Sequence, residues 1–520
     1  MRETGMGPYR FRVRFPWMGL FPEACMQAFR IISSGIADNF RQGRRLSGVV
    51  LNMVRRLIAI CCAGVMALSA AGCGSDADTR TAITVWSWEP SMKQVIAGFE
   101  RENPDIRVVW KNTSGYDKLN NAIQDGYGIP DVVQLEYYAL RQYAVSSQLV
   151  DITGKTSGYS DFYTPGTWSS VQLNGSVYGL PMDSGPMAFF YNDSVFEQVG
   201  VDASKIRTWD EYYEAAKKLK KIGVYITADS GDASFYDTMI WLADGRPFST
   251  SNDGKNVTIN LIEDEGTRKF TEFWQKMIDE GLVATNLTTW SDSWKSAVGQ
   301  GKVASLFSGA WLPSLLMSDI PGAAGLWRVS QMPTPNGKAT TSENGGSALA
   351  VLQRSRKPEA SYRFIEYACH NAKGIKTRVA GGAFPADNDT LSDPEFLSKT
   401  TVTDERGIEI PYFGGQEYNR VLSQAAENVS TGYQYLPFEV YARSDFRSTV
   451  GKAYKWSSML RKEQDRLDII AAGGQVSDTS DIGDALKNTD SSDRVKLKGG
   501  ISLWQKDLKE YGANQGFTIQ

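Results

Sequence analysis

Apolar positions dominate ITVWSW (83–88), and this short run of β-branched and aromatic residues predicts a strand. Met92, Val95, Ile96 and Phe99 then recur at helical spacing, predicting a helix over about 91–102. Asn103-Pro104 ends that helix, and Ile106–Trp110 reads as a second strand. A helix near 117–125 leads into GIPDVVQL, a short apolar run of the kind a buried strand needs. Strands alternating with helices predict a parallel sheet with helices on its faces. VQLNGSVYGLP (171–181) interrupts the alternation, because Asn174-Gly175 between alternating residues signals a hairpin. After MAFFYN, Thr208 and Glu211 stand at the spacing of a capping box and open a helix over TWDEYYEAAKKLKK. A second α/β unit follows: VYIT, a helix near 234–243, VTIN, helices near 263–280 and 291–299, and the strand KVASLF. VSQMPTP (329–335) reads as an extended loop and GGSALAVL as a further strand, and the remainder is mainly helical. Residues 461–500 are charge-rich with paired glycines and predict a surface insertion.

One stretch, MVRRLIAICCAGVMALSAAGC (53–73), does not fit a folded domain. Arg55 and Arg56 precede fifteen uncharged residues, Leu57 to Ala71, and small residues close the run. This is the three-part layout of a secretory signal. It is too short for a membrane span, which needs roughly 20 apolar residues. Its end, Ser69-Ala70-Ala71-Gly72-Cys73, resembles the lipobox of bacterial lipoproteins, with Ala70 where leucine is usual. The resemblance implies removal of residues 53–72, a lipid on Cys73, and an exported protein held at the outer face of the cytoplasmic membrane. Residues 73–82 then read as a polar tether. Residues 1–52 are basic and read as an extension from an early start codon, with Met53 the initiator.

Charge changes once that leader is set aside. Residues 1–72 carry 10 Lys and Arg against 3 Asp and Glu, so the remaining 448 residues hold 46 basic and 56 acidic side chains, a net charge of −10. An acidic exported body argues against nucleic acid as a partner. Its length exceeds what one core usually fills, so two lobes are expected. Beyond the leader and the expected lipid site Cys73, only Cys369 remains, and the sole histidine is His370. No disulfide can be built from that inventory, zinc sites and Ser-His or Cys-His nucleophile systems have almost no material, and no metal or cofactor is expected. The two are expected to be packing and surface residues. Tryptophan is abundant, thirteen after the leader. Indoles on an acidic exported body suit sugars, whose apolar ring faces lie on aromatic planes while their hydroxyls need carboxylates and amides.

ITVW with a helix ending FERENPDIRV, GIPDVVQLEYYAL, VYGLPMDSGPMAFFYNDSVFEQ, TWDEYYEAAKKLKK, GQGKVASLFSGAW and ENGGSALAV resemble, in this order, the bacterial extracellular solute-binding proteins of the maltose-binding type. The segment Pro181 to Gln198 follows the family signature up to Gln198, where a charged residue or Asn is usual. The resemblance implies an α/β, two-lobe periplasmic-binding-protein fold of type 2, with ligand in the cleft and an ABC transporter permease as partner. It places lobe 1 at 83–182 and 336–374, lobe 2 at 187–330 and 384–520, and hinges near 183–186, 331–335 and 375–383.

Ligands in such clefts meet loops at the carboxyl ends of strands. That rule selects Trp86, Trp88, Glu89, Glu136, Tyr137, Asp183, Trp311, Glu343 and Asn344. Trp86 and Trp88 are expected to divide between core and cleft, with Trp88 on the ligand. The resemblance adds Asp232, Phe235, Trp241, Phe438 and Glu439. Trp209, Trp274 and Trp327 read as packing. The expected cargo is a sugar or oligosaccharide, bound by a monomer without catalysis. A polyamine is the alternative cargo, since acids and indoles also suit cations. An exported glycosidase is the rival activity, and it would need a spaced pair of carboxylates.

Overall fold

A computed structural model describes residues 78–520, apart from 252–253, 405, 476–485 and 489–494. The expected extension (1–52), signal (53–72), lipidation site Cys73 and the tether up to residue 77 lie outside the described residues.

Five strands form the first lobe's sheet, in the order Ile106–Asn112, Thr81–Ser87, Val132–Glu136, Ser347–Val351, Leu180–Asp183. Thr81–Ser87 runs parallel to both its neighbours, whereas Ser347–Val351 runs antiparallel to both of its own. The returning strand is thus inserted from distant sequence, and Ser347 lies beside both Glu136 and Asp183. Helices Met92–Glu102 and Pro358–Cys369 pack on this sheet through Phe99, Phe364 and Tyr367. Cys369 is buried there and His370 stacks on Tyr159 at 3.6 Å between ring centroids.

Met187–Asn192, Ser305–Gly309 and Trp327–Ser330 form the central sheet of the second lobe. MAFFYN is buried at every position because both faces of the strand are covered. Met187, Phe189 and Tyr191 face one core, and Ala188 and Phe190 face another. The first of these cores also takes in the Leu497–Asn514 helix, with Trp504 donating its indole N–H to the Ala442 carbonyl at 3.0 Å. Trp209, Trp274 and Trp327 are all buried. Thr208 caps the Trp209–Lys220 helix, and both halves of the capping box form. Asn174 and Gly175 take φ of 56° and 82°, the left-handed pair a two-residue hairpin requires. The charge-rich insertion begins as the end of the Val450–Ala471 helix, where Leu467, Ile469 and Ile470 are exposed.

Two of the three crossings depart from expectation. Residues 331–335 stay with the second lobe, since the Thr334 N–H donates to Arg207 O at 3.0 Å and Thr334 O accepts from the Trp209 N–H at 3.1 Å. Thr341 likewise pairs with Val429. The chain crosses at 343–346 instead, where Glu343 bridges Pro186 and Gly345 and Gly346 adopt φ of 93° and 83°. A side chain at Gly185 would collide with the Asn344 carbonyl, and the Asn344 N–H donates to Gly185 O at 2.7 Å, so the two crossing segments touch backbone to backbone. Residues 372–380 form a helix packed on the first lobe, and Arg378 is buried against the carbonyls of Ala368 and Met182. The third crossing therefore begins at Gly381, and Phe384 already belongs to a second-lobe core.

The lobes also meet away from the hinge. Arg443, on the Glu439–Phe446 helix, lies 3.7 Å from the ring centroid of Tyr138 on the Tyr137–Val145 helix of the first lobe. Its Nε is 3.3 Å from Glu439 and 3.6 Å from Asp237.

Candidate ligand-binding cleft

The loop after the first strand is held by one buried amide. Gln134 Oε1 accepts from the Ser87 hydroxyl at 2.7 Å and from the Trp88 and Glu89 N–H groups at 3.0 and 3.3 Å. Its Nε2 donates to Ser347 Oγ at 2.9 Å, and that hydroxyl donates to Asp183 Oδ1 at 2.7 Å. A continuous chain of hydrogen bonds thus runs across the carboxyl ends of the strands. It ends the first strand at Ser87 and turns Trp88 out of it. In an unbroken strand Trp86 and Trp88 would share a face. Here Trp86 is buried with Lys111 5.4 Å from its ring, and Trp88 faces the cleft.

The cleft measures about 500 Å³. Eight sequence-selected residues line it: Trp88, Glu89, Glu136 and Asp183 from the first lobe, Asp232, Phe235 and Trp311 from the second, and Asn344 at the crossing. Glu89 is braced by Ser91, whose hydroxyl donates to Oε1 at 2.6 Å. Glu136 Oε2 accepts from the Tyr116 hydroxyl at 3.1 Å. Asp232 caps the Ala233–Leu242 helix and so sits at its positive end. The Trp311 indole N–H donates to the Asn344 carbonyl at 2.7 Å, which ties the cleft wall to the crossing segment. Asp183 is desolvated by burial and sits near the Glu89 charge, and its carboxyl is pushed up to about 6 even though Ser347 hydrogen bonds favour its anion.

Six selected residues lie elsewhere. Tyr137 is buried under the crossing, donating to Asp183 O at 2.7 Å, with its ring against Gly346. Glu343 is buried in the hinge and accepts from Ser184 Oγ at 3.0 Å and from the Gly185 N–H at 2.7 Å. Trp241 donates to Ser430 and stacks on Tyr433 at 4.9 Å. Phe438 packs on Tyr511 and Phe517. Glu439 is fully buried beside Arg443. Trp86 is the sixth. Strand-end and loop positions are spread through a two-lobe chain, and only those whose loop turns toward the other lobe reach the cleft.

Asp229, Trp290 and Trp294 also line the cleft and were not selected. Asp229 follows the Thr227–Ala228 strand, so the strand-end rule would have found it. Its carboxylate accepts from the Gly231 N–H at 2.9 Å and the Trp274 indole at 2.8 Å, and burial pushes its pKa upward. Trp290 precedes the Asp292–Gly299 helix with φ of 68°, a backbone state no sequence pattern for tryptophan signals. No Lys, Arg or His is among the described lining residues, whereas five carboxylates are. Aromatic planes and charged acceptors thus face one space, with hydrogen-bonding capacity but no basic side chain among the described lining residues.

Residues 86–371 match the bacterial extracellular solute-binding protein family. The chain belongs to this family. Family members are binding proteins rather than enzymes. A solved solute-binding protein of Bifidobacterium animalis subsp. lactis, an ABC-transporter-associated protein in complex with β-1,6-galactobiose, is 49% identical with a TM-score of 0.71, covering 85% of this chain and 100% of that one. The lactose-binding protein of Rhizobium radiobacter is 26% identical over 303 residues, 54% of this chain and 69% of that protein. The arabinooligosaccharide-binding protein of Bacillus subtilis is 24% identical over 363 residues, 65% and 82% of the two chains. The two-lobe α/β fold is that of these solute-binding proteins.

Proposed function

We propose that this solute-binding protein captures a short galactose-containing oligosaccharide between its lobes and delivers it to an ABC importer. The observation that carries the reading is the cleft itself: half-buried Trp88, Trp290 and Trp311 beside Glu89, Glu136, Asp183 and Asp232, without a basic group. Carboxylates accept sugar hydroxyls in charge-assisted bonds, each contributing about 1.5–3 kcal/mol. The galactobiose complex of the 49% identical relative supports the sugar class. A volume of about 500 Å³ suits a short glycan. Ligand contact by Trp88, Glu89, Glu136, Asp183, Asp232, Phe235, Trp311 and Asn344 is part of this proposal. So are a lipid on Cys73, a monomeric state, placement at the outer face of the membrane, and an early-start origin for residues 1–52. No described helix is long and apolar enough to cross a membrane.

The same acid-rich cleft favours a second reading, a polyamine cargo. Calorimetric titration with β-1,6-galactobiose, lactose, arabinooligosaccharide and spermidine separates the two. Saturable binding of a galactoside is the expected result. Binding of spermidine alone would replace the cargo.

A further inference from the structure

The Tyr137–Val145 helix turns two faces to different neighbours. Tyr137, Leu140, Tyr143 and Ala144 are buried in the first lobe's core. Tyr138, Arg141 and Val145 stand three and seven residues apart, so they share one helical face about 10 Å long. That face meets the second lobe at each of the three positions. The Arg443 guanidinium lies 3.7 Å from the Tyr138 ring centroid, and Tyr435 is edge-on to the same ring at 6.4 Å. Arg141 Nη1 donates to Gln434 Oε1 at 3.2 Å, and the same oxygen accepts from the Thr250 N–H at 3.1 Å, which fixes it on the second lobe. Val145 lies within van der Waals reach of Gly254, where an added Cβ would stand 3.7 Å from it.

This seam adjoins the cleft without entering it. Glu136 lines the cleft and stands at the N-cap of the same helix. Its carboxylate accepts from Tyr116, whose ring is edge-on to Tyr138 at 6.0 Å. None of Tyr138, Arg141, Val145, Gln434 and Arg443 is among the described lining residues. Arg443 is held by its own lobe, because the buried carboxylates of Glu439 and Asp237 flank its Nε. One guanidinium between two buried acids cannot leave without stranding them. The cation is therefore fixed, while its ring partner belongs to the other lobe. We infer that the seam is a latch: Arg443 on Tyr138 closes the rim of the cleft and holds the lobes together by the same amount whatever sugar lies between them. Widening of the cleft at Glu136 carries Tyr138 away from Arg443, so release of cargo breaks the contact. Both are positioning residues, acting on capture without touching ligand, and their bearing on capture rests on the galactoside reading above.

The test leaves the buried charges intact and alters the ring. Tyr138→Leu removes the π face, and Tyr138→Phe keeps it. Release of β-1,6-galactobiose and of lactose is followed by stopped-flow tryptophan fluorescence, and the unliganded proteins are compared by small-angle X-ray scattering. We expect Tyr138→Leu to release both sugars about five- to thirtyfold faster, by one common factor, with association changed less than about twofold. Its unliganded radius of gyration should exceed that of the unaltered protein. Tyr138→Phe should match the unaltered protein in both readouts. Unchanged or slower release from a folded Tyr138→Leu protein would overturn the latch. So would factors that differ between the two sugars, which mark a ligand contact. If the unaltered protein binds neither galactoside, the functional reading falls and scattering alone decides the latch: expansion of Tyr138→Leu supports it, and an unchanged radius overturns it.

Discussion

Single residues at this cleft do two jobs, and substitutions separate them. Trp311 offers a ring to the cleft and its N–H to the Asn344 carbonyl. Trp311→Ala should weaken galactobiose binding at least tenfold in calorimetry, about 1.4 kcal/mol, and leave the protein folded. Unchanged affinity would remove Trp311 from the site. Glu343 ties the hinge and is not among the cleft-lining residues. Burial raises its carboxyl to about 7 from an ordinary 4.5, against the favourable bonds from Gly185 and Ser184. Between those two values the folded chain holds a proton that the unfolded chain has released, so stability falls as pH rises through that window. Glu343→Gln should flatten this slope, which thermal midpoints from pH 4 to 8 would read. An unaltered slope would mean another group, such as Asp183, dominates. At this scale sequence selected acids and indoles as a class, yet could not tell Glu343 in the hinge from Glu89 in the cleft. That difference depends on which strand lies beside each residue, and Ser347 arrives from more than 160 residues away.

Elements were the most legible level, because periodicity and punctuation act locally. The Thr208–Glu211 capping box and the Asn174-Gly175 hairpin formed as their chemistry requires. The crossings were less legible. The run Gln331–Pro335 has loop composition, but Thr334 is fastened to the Trp209–Lys220 helix, and the glycines at 345 and 346 carry the turn. Contact between helices of opposite lobes was invisible in sequence. Arg443 on Tyr138 joins the Glu439–Phe446 and Tyr137–Val145 helices, and both carboxylate oxygens of Asp237 lack a hydrogen-bond partner nearby. Removing the guanidinium would leave Asp237 and Glu439 buried together without compensation. Arg443→Met should therefore cost about 3 kcal/mol or more in urea unfolding. Asp237→Asn should be neutral or stabilising, since burial and the Glu439 charge already push its pKa up. A stable Arg443→Met protein would mean the contact is incidental.

The whole molecule follows from two sheets whose connections cross between lobes, so that loops from both meet over one space. Length beyond a single core, an acidic body and the order of six short segments made the class readable in advance. The sugar class of the cargo was readable, but which glycan was not, because the angles between rings such as Trp290 and Trp311 are tertiary. The central claim is capture of an intact sugar between the lobes. The most direct measurement is a tryptophan-fluorescence titration with β-1,6-galactobiose, followed by mass spectrometry of the recovered glycan. Three half-buried indoles line the cleft, so saturable change at one site per chain, with the disaccharide recovered whole, is the predicted result. No response at millimolar sugar, or recovery of free galactose, would contradict it.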